Sequence, residues 1–133
     1  MSPLAYVGRG QAYYGKGDFD AAVENFNTAI LMLHDDETAY LWRGLAYAEI
    51  DQPDRAFRDF NKAIEINEYS YDAYYNRALL YLRLKKFDEA EKDIQALEWV
   101  KTKLEGGEFL QNTITVLRRS LDIERSVINS SIK

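Results

Sequence analysis

The chain has 133 residues, 47% of them apolar and none of them cysteine. This length and composition support one domain with a real core and exclude a disulfide framework, thiolate metal sites and a cysteine nucleophile. Net charge is −5 and unevenly spread: residues 1–100 carry 11 Lys/Arg against 18 Asp/Glu, whereas residues 101–133 carry 6 against 4. An acidic body repels phosphate backbones, and single-strand binders set their aromatic side chains in a positive groove, so the ten tyrosines do not make nucleic acid a partner. No apolar run approaches the roughly 18 residues of a membrane span, so no membrane partner is expected. Met1 to Gly10 lack the basic-then-apolar layout of a signal peptide, and the expected location is cytoplasmic.

In chain order, apolar periodicity predicts helices near 3–16, 19–33, 37–50, 53–67, 71–84 and 87–104. Gly15-Lys-Gly17-Asp18 breaks the first from the second, with Asp18 placed to cap the second. Asp36 and Ser70 are candidate caps for the third and fifth helices. Asp51-Gln52-Pro53 separates the third from the fourth, and Pro53 suits a first helical turn. Glu105-Gly106-Gly107 ends the sixth pattern, and residues 108–130 read as one further amphipathic helix. Its stripe is Leu110, Ile114, Leu117, Leu121 and Ile128, and Arg118, Arg119 and Arg125 make its polar face basic.

An internal offset of 34 residues organises the first hundred positions. It aligns Gly10, Gly44 and Ala78; Tyr13, Tyr47 and Tyr81; Tyr6, Tyr40 and Tyr74. It also aligns Ala22, Ala56 and Ala90; Phe26, Phe60 and Ile94; Ala29, Ala63 and Leu97. The repeats are therefore 3–36, 37–70 and 71–104, each a helical hairpin that cannot bury its apolar face alone and must stack on the next. The small residues allow close approach at each hairpin crossing, and Tyr6, Tyr13, Tyr47 and Phe60 are expected in the core. A polar column shares the offset: Arg9, Arg43 and Arg77 stand opposite Asn25, Asp59 and Asp93. Structural ion pairs Arg43–Asp59 and Arg77–Asp93 are expected, with a ligand-binding arginine ladder as the alternative.

These residues resemble the tetratricopeptide repeat family over about residues 3–101. The family's pattern is met by Tyr6, Gly10, Tyr13, Gly17, Phe19, Ala22, Phe26 and Ala29. Its closing Pro is replaced by His34, Glu68 and Thr102, and its turn Gly by Asp51 and Lys85 in the second and third copies. The resemblance implies an all-α superhelical solenoid, a single domain over 1–133, whose first helices line a concave groove and whose terminal helix is a cap.

The groove lining then falls on Val7, Gln11 and Tyr14 of the first repeat. From the second come Leu41, Trp42, Leu45 and Glu49, and from the third Asp72, Tyr75, Asn76, Leu79, Leu82 and Arg83. Such an apolar, aromatic surface suits a partner peptide or amphipathic helix. Ordinary core packing of some members is the competing reading. The family's carboxylate clamp for acidic chaperone tails is not expected. The positions matching its cations and amides hold Val7, Gln11, Trp42, Asp72 and Asn76.

The lone histidine, His34, sits in a turn beside Asp35 and Asp36, and no phosphate-cradling glycine loop follows a strand. No catalytic, metal or cofactor residue is assigned. The sequence predicts a non-enzymatic protein-interaction scaffold that takes a protein or peptide partner. The alternative is self-association or autoinhibition through the groove or the basic terminal helix, and Trp99 and Leu97 offer apolar surface for that helix to cap.

Overall fold

A computed structural model describes residues 1–132: seven α-helices, one 3-10 turn and no strand among the described residues. The helices are α1 (Pro3–Gly15), α2 (Phe19–Met32), α3 (Glu37–Glu49), α4 (Pro53–Ile66), α5 (Tyr71–Arg83), α6 (Phe87–Lys103) and α7 (Leu110–Ile132). Gly107–Phe109 form the 3-10 turn ahead of α7.

Local chemistry sets these boundaries. Ser2 accepts from the Ala5 amide at 3.1 Å with Pro3 opening α1, Asp18 accepts from Ala21 at 3.2 Å, and Asp36 from Thr38 at 3.0 Å. Each satisfies an amide that the first helical turn leaves unpaired. Ser70 departs from its expected role: its hydroxyl is buried and accepts or donates no hydrogen bond, while its backbone carbonyl accepts from Ala73. The turns inside the three hairpins share one left-handed residue. Gly17 has φ +80°, and Asp51 and Lys85, at the same offset, hold φ +59° and +60°. The second and third copies keep the turn although they lack its glycine, at some cost in backbone strain.

The chain divides into two compact units, Met1–Ala73 and the residues from Tyr74 onward. In the first, α1 packs on α2, α2 on α3 and α3 on α4. Ala22, Phe26, Ala29, Ala56, Phe60 and Ala63 are at most 1% exposed. A Cβ added to Gly10 would stand 2.6 Å from Phe26 Cε1, and one added to Gly44 would stand 2.8 Å from Phe60 Cε1. The two glycines are thus what lets the paired helices approach around each phenyl ring. Tyr6, Tyr13 and Tyr47, expected in the core, are only half-buried. Their rings pack inward while cations flank them: Arg9 over Tyr6, Lys16 over Tyr13, and Arg43 and Arg55 over Tyr47.

In the second unit Ala78, Ala90, Ile94, Leu97 and Val100 are buried, and α7 lays Leu110, Ile114, Leu117 and Leu121 on α6. Gly107 sets the entry of α7, because a Cβ there would collide with the Lys101 carbonyl oxygen, a backbone atom that cannot yield. A polar seam runs along the same contact. Arg118 bonds Glu91 at 3.1 Å and Glu98 at 2.9 Å, Arg125 bonds Asp88 at 3.2 Å, and Lys85 lies 3.5 Å from Glu124. The basic face of α7 is therefore largely engaged by the acids of its neighbours. Trp99 is 39% exposed.

The arginine column is structural. Arg43 Nε and Nη2 donate to Asp59 at 2.8 and 2.7 Å, and Arg77 Nε and Nη2 to Asp93 at 3.0 and 2.6 Å. Asp59 and Asp93 are 2% and 1% exposed, so these are not surface pairs. Burial pushes both carboxyls above their ordinary value while the bidentate arginine pulls them down. In the first repeat a neutral amide takes the acid's place: Arg9 Nε donates to Asn25 Oδ1 at 2.6 Å, and Asn25 Nδ2 donates to the Ala21 carbonyl.

Candidate functional site

The face expected to bind is built on the first helix of each hairpin, and each unit carries its own part of it. In the first unit Tyr14 is the hinge of an aromatic triplet. Its ring meets Phe19 edge-on at 5.2 Å and Trp42 edge-on at 5.3 Å, the geometry aromatic quadrupoles favour. Tyr14 and Trp42 are both half-buried and rest on a core cluster of Val7, Ala22, Phe26, Ala29, Ala39 and Ala46. Phe19 was not assigned to the site from sequence. Its place in the family pattern points to packing, and only the ring geometry shows that it braces Tyr14.

Two expected wall residues lie beneath the surface. Val7 is 2% exposed and Leu41 8% exposed. Val7 belongs to the floor that supports Tyr14 and Trp42, and a helical stripe wide enough to pack on two neighbours has members that reach solvent on neither side. Gln11 and Leu45 are half-buried, and Glu49 and Asp72 are exposed. On α5, within the second unit, Tyr75, Asn76 and Leu82 are half-buried, Leu79 is 38% exposed and Arg83 is exposed.

Acids set the electrostatics of the first unit's part. Partial burial pushes the Tyr14 phenol up, and the negative charge of Glu49 pushes it further. Partial burial likewise raises the Asp72 carboxyl, and Glu37 adds to the effect. Glu37 is itself held by a hydrogen bond from Asn67 Nδ2 at 3.0 Å. Apolar rings beside carboxylates favour a ligand with apolar and cationic groups and disfavour an anion.

Elsewhere, His34 lends only its backbone carbonyl to the Tyr40 hydroxyl, at 3.1 Å. No group of three potential metal ligands occurs among the described residues. No helix among them is long and apolar enough to cross a membrane. A cleft of about 580 Å³ opens in the second unit along α7, between Glu98, Ile114, Arg118, Asp122 and Ile123. Sequence reading did not find it, because it depends on how α7 is seated on α6.

Family models match the chain in three overlapping stretches. One described as TPR repeat covers residues 10–51, and two described as tetratricopeptide repeat cover residues 37–69 and 60–92. A comparison with the curated proteins finds no significant match. Among solved structures, the TPR2B domain of yeast Sti1 in its pHsp70 complex is 22% identical with a TM-score of 0.85, covering 92% of this chain and 97% of that one. The type III secretion translocator chaperone SycD of Yersinia enterocolitica is 14% identical with a TM-score of 0.83, covering 92% and 93%. PcrH in complex with the chaperone binding region of PopD is 16% identical with a TM-score of 0.81, covering 92% of each. At these identities the likeness is one of fold. With the three family matches together spanning residues 10 to 92, the chain belongs to the tetratricopeptide repeat family.

Proposed function

We propose that this protein is a non-catalytic interaction scaffold whose first-helix face holds an apolar segment of a partner protein carrying one or more basic residues. The Tyr14–Trp42 pair carries the reading. Two large aromatic rings stand half-exposed on a buried floor, edge-on at 5.3 Å, with a carboxylate beside them at Glu49. Half-exposed Trp and Tyr on a rigid base dominate binding energy in protein interfaces. Leu45 and Gln11 extend that face on the first unit. On the first unit Asp72 and Glu49 select positive charge, and on the second Tyr75, Asn76, Leu79, Leu82 and Arg83 give α5 a lining of its own. The solved relatives in complex with pHsp70 and with the chaperone binding region of PopD support the general use of the fold in gripping partner segments.

A carboxylate clamp is no part of the proposal. The positions matching its cations and amides hold Val7, which is buried, then Gln11, Trp42, Asp72 and Asn76. An acidic C-terminal peptide would meet Asp72 and Glu49 where it needs charge-assisted donors. The test is peptide-library display against the whole chain. Selected binders are expected to combine apolar residues with Lys or Arg, and to lose at least tenfold in affinity to Trp42→Ala. Selection of acidic-tailed peptides, or binders indifferent to Trp42→Ala, would overturn the proposal.

One observation favours self-association as the second reading. Phe109, just ahead of α7, and Val116, Ile123 and Val127 along it are each at least 55% exposed. An apolar stripe of this kind can pair with a second copy. Sedimentation velocity over a range of protein concentrations separates the two: a mass that rises with concentration supports the stripe as an interface.

A further inference from the structure

We propose that Arg55 and Arg58 of α4, with Arg43 and Tyr47 of α3, form a binding site for a dianionic phosphate group, separate from the first-helix face. These residues and Asp59 line one cleft of about 190 Å³. Three guanidinium groups therefore converge against a single carboxylate. That carboxylate is already engaged: both Asp59 oxygens accept from Arg43, at 2.7 and 2.8 Å, and Asp59 is 2% exposed. The remaining Arg43 nitrogen, Nη1, donates to Asn27 at 2.8 Å. Among the described residues, Arg55 and Arg58 have no ion-pair partner, and both are exposed.

Arg55 is also held in place. The Arg55 guanidinium lies 5.6 Å over the Tyr47 ring, and Arg43 lies 5.8 Å from the same ring. The ring thus steadies the Arg55 guanidinium beside Arg43, whose own charge Asp59 already meets. Arg55 and Arg58 are three residues apart on one helix and so share a face. Paired guanidinium forks match the oxygens of a phosphate, which a lone ammonium does not.

The scaffold does not explain these residues. At the 34-residue offset, Arg55 aligns with Ala21 and Glu89, and Arg58 with Glu24 and Lys92. The hairpins of the first and third repeats form without a pair of arginines here, so the packing of the repeat does not require it. The net charge of −5 works against non-specific attraction of phosphate, which makes binding dependent on this local cluster.

The source of the phosphate is either the free ion or a phosphorylated side chain of a partner, and two probes separate them. The ¹⁵N-labelled full chain is titrated with inorganic phosphate and, separately, with phenyl phosphate at about pH 7.5, where a phosphomonoester is mostly dianionic. The Nε–H signals of Arg55 and Arg58 are expected to shift saturably with at least one probe. That of Arg119, which also has no ion pair among the described residues, should stay still. The doubly substituted variant Arg55→Gln/Arg58→Gln, with unchanged circular dichroism, is expected to bind at least tenfold more weakly. Tighter binding of phenyl phosphate assigns a phosphorylated side chain, and tighter or equal binding of inorganic phosphate assigns the free ion. Saturation with neither probe, an equal shift at Arg119, or full affinity in the double variant overturns the site.

Discussion

Gly8 and Gly10 stand two residues apart on α1, and the same substitution is expected to act in opposite directions at the two. At Gly8 an added Cβ meets nothing within 4 Å. The change to Ala there removes the backbone entropy cost of a helical glycine and should stabilise by about 0.8–1 kcal/mol. At Gly10 the same gain is opposed by Phe26, whose Cε1, Cδ1 and Cζ would lie 2.6, 2.9 and 2.9 Å from the new atom. The Phe26 ring is 0% exposed and is hemmed in by Ala22 and Ala29, so it has little room to retreat. Overpacking of this kind costs about 1–3 kcal/mol, leaving Gly10→Ala between neutral and about 2 kcal/mol destabilised. For a chain of this length 1 kcal/mol moves the midpoint by roughly 3–4 °C, so the two variants should straddle the parent and differ by about 3–10 °C. Thermal unfolding followed by circular dichroism, repeated in urea, reads the difference. Equal melting temperatures would refute the reasoning, because the close approach to Phe26 would then not be the reason glycine occupies position 10.

Two further expectations follow from buried polar groups. Ser70→Ala should leave stability unchanged or raise it by up to about 1 kcal/mol, since it removes a buried hydroxyl that makes no hydrogen bond. Urea unfolding checks this, and a loss near 1 kcal/mol would show that Ser70 caps α5 after all. At the second clasp, Asp93→Leu should cost about 3–5 kcal/mol, because it removes the buried carboxylate that meets the Arg77 charge. Asp93→Asn should cost much less, since Asn25 already serves Arg9 in that role at 2.6 Å. Chemical denaturation of the two variants side by side decides it. Equal losses would mean that the charge, and not the acceptor oxygen, holds the hairpin.

Much of this architecture was legible in the sequence because the repeat states each packing requirement three times. The columns Ala22/Ala56/Ala90 and Phe26/Phe60/Ile94 were expected to be core, and all six residues are at most 1% exposed. The Arg43–Asp59 and Arg77–Asp93 pairs were expected, and both are present. Their burial was not visible, since spacing gives the partner and not the depth. The same limit applied to Val7 and Leu41: a 3.6-residue period places a side chain on a face without saying whether a neighbouring helix covers it. Asp51 and Lys85 keep the left-handed turn of Gly17 because the hairpin geometry overrides their local preference. Exposure of Trp99 could not be foreseen, as it turns on which side chains α7 presents to α6.

A repeat protein also separates architecture from recognition within a single chain. Where the three copies agree on a small residue, as at Ala22, Ala56 and Ala90, it is buried and the hairpin needs it. Where they disagree, packing does not dictate the choice. Gly8, Trp42 and Asn76 share one offset column, as do Gln11, Leu45 and Leu79, and none of the six is fully buried. Ala21, Arg55 and Glu89 form another such column on the second helices. The first two columns lie on the proposed partner face and the third supplies the proposed phosphate site. A position that the fold leaves open in two copies, and that the third fills with Trp or Arg, is one where the residue's chemistry is available to a ligand. The asymmetry between copies is thus the physical reason to look for binding at Trp42 and at Arg55.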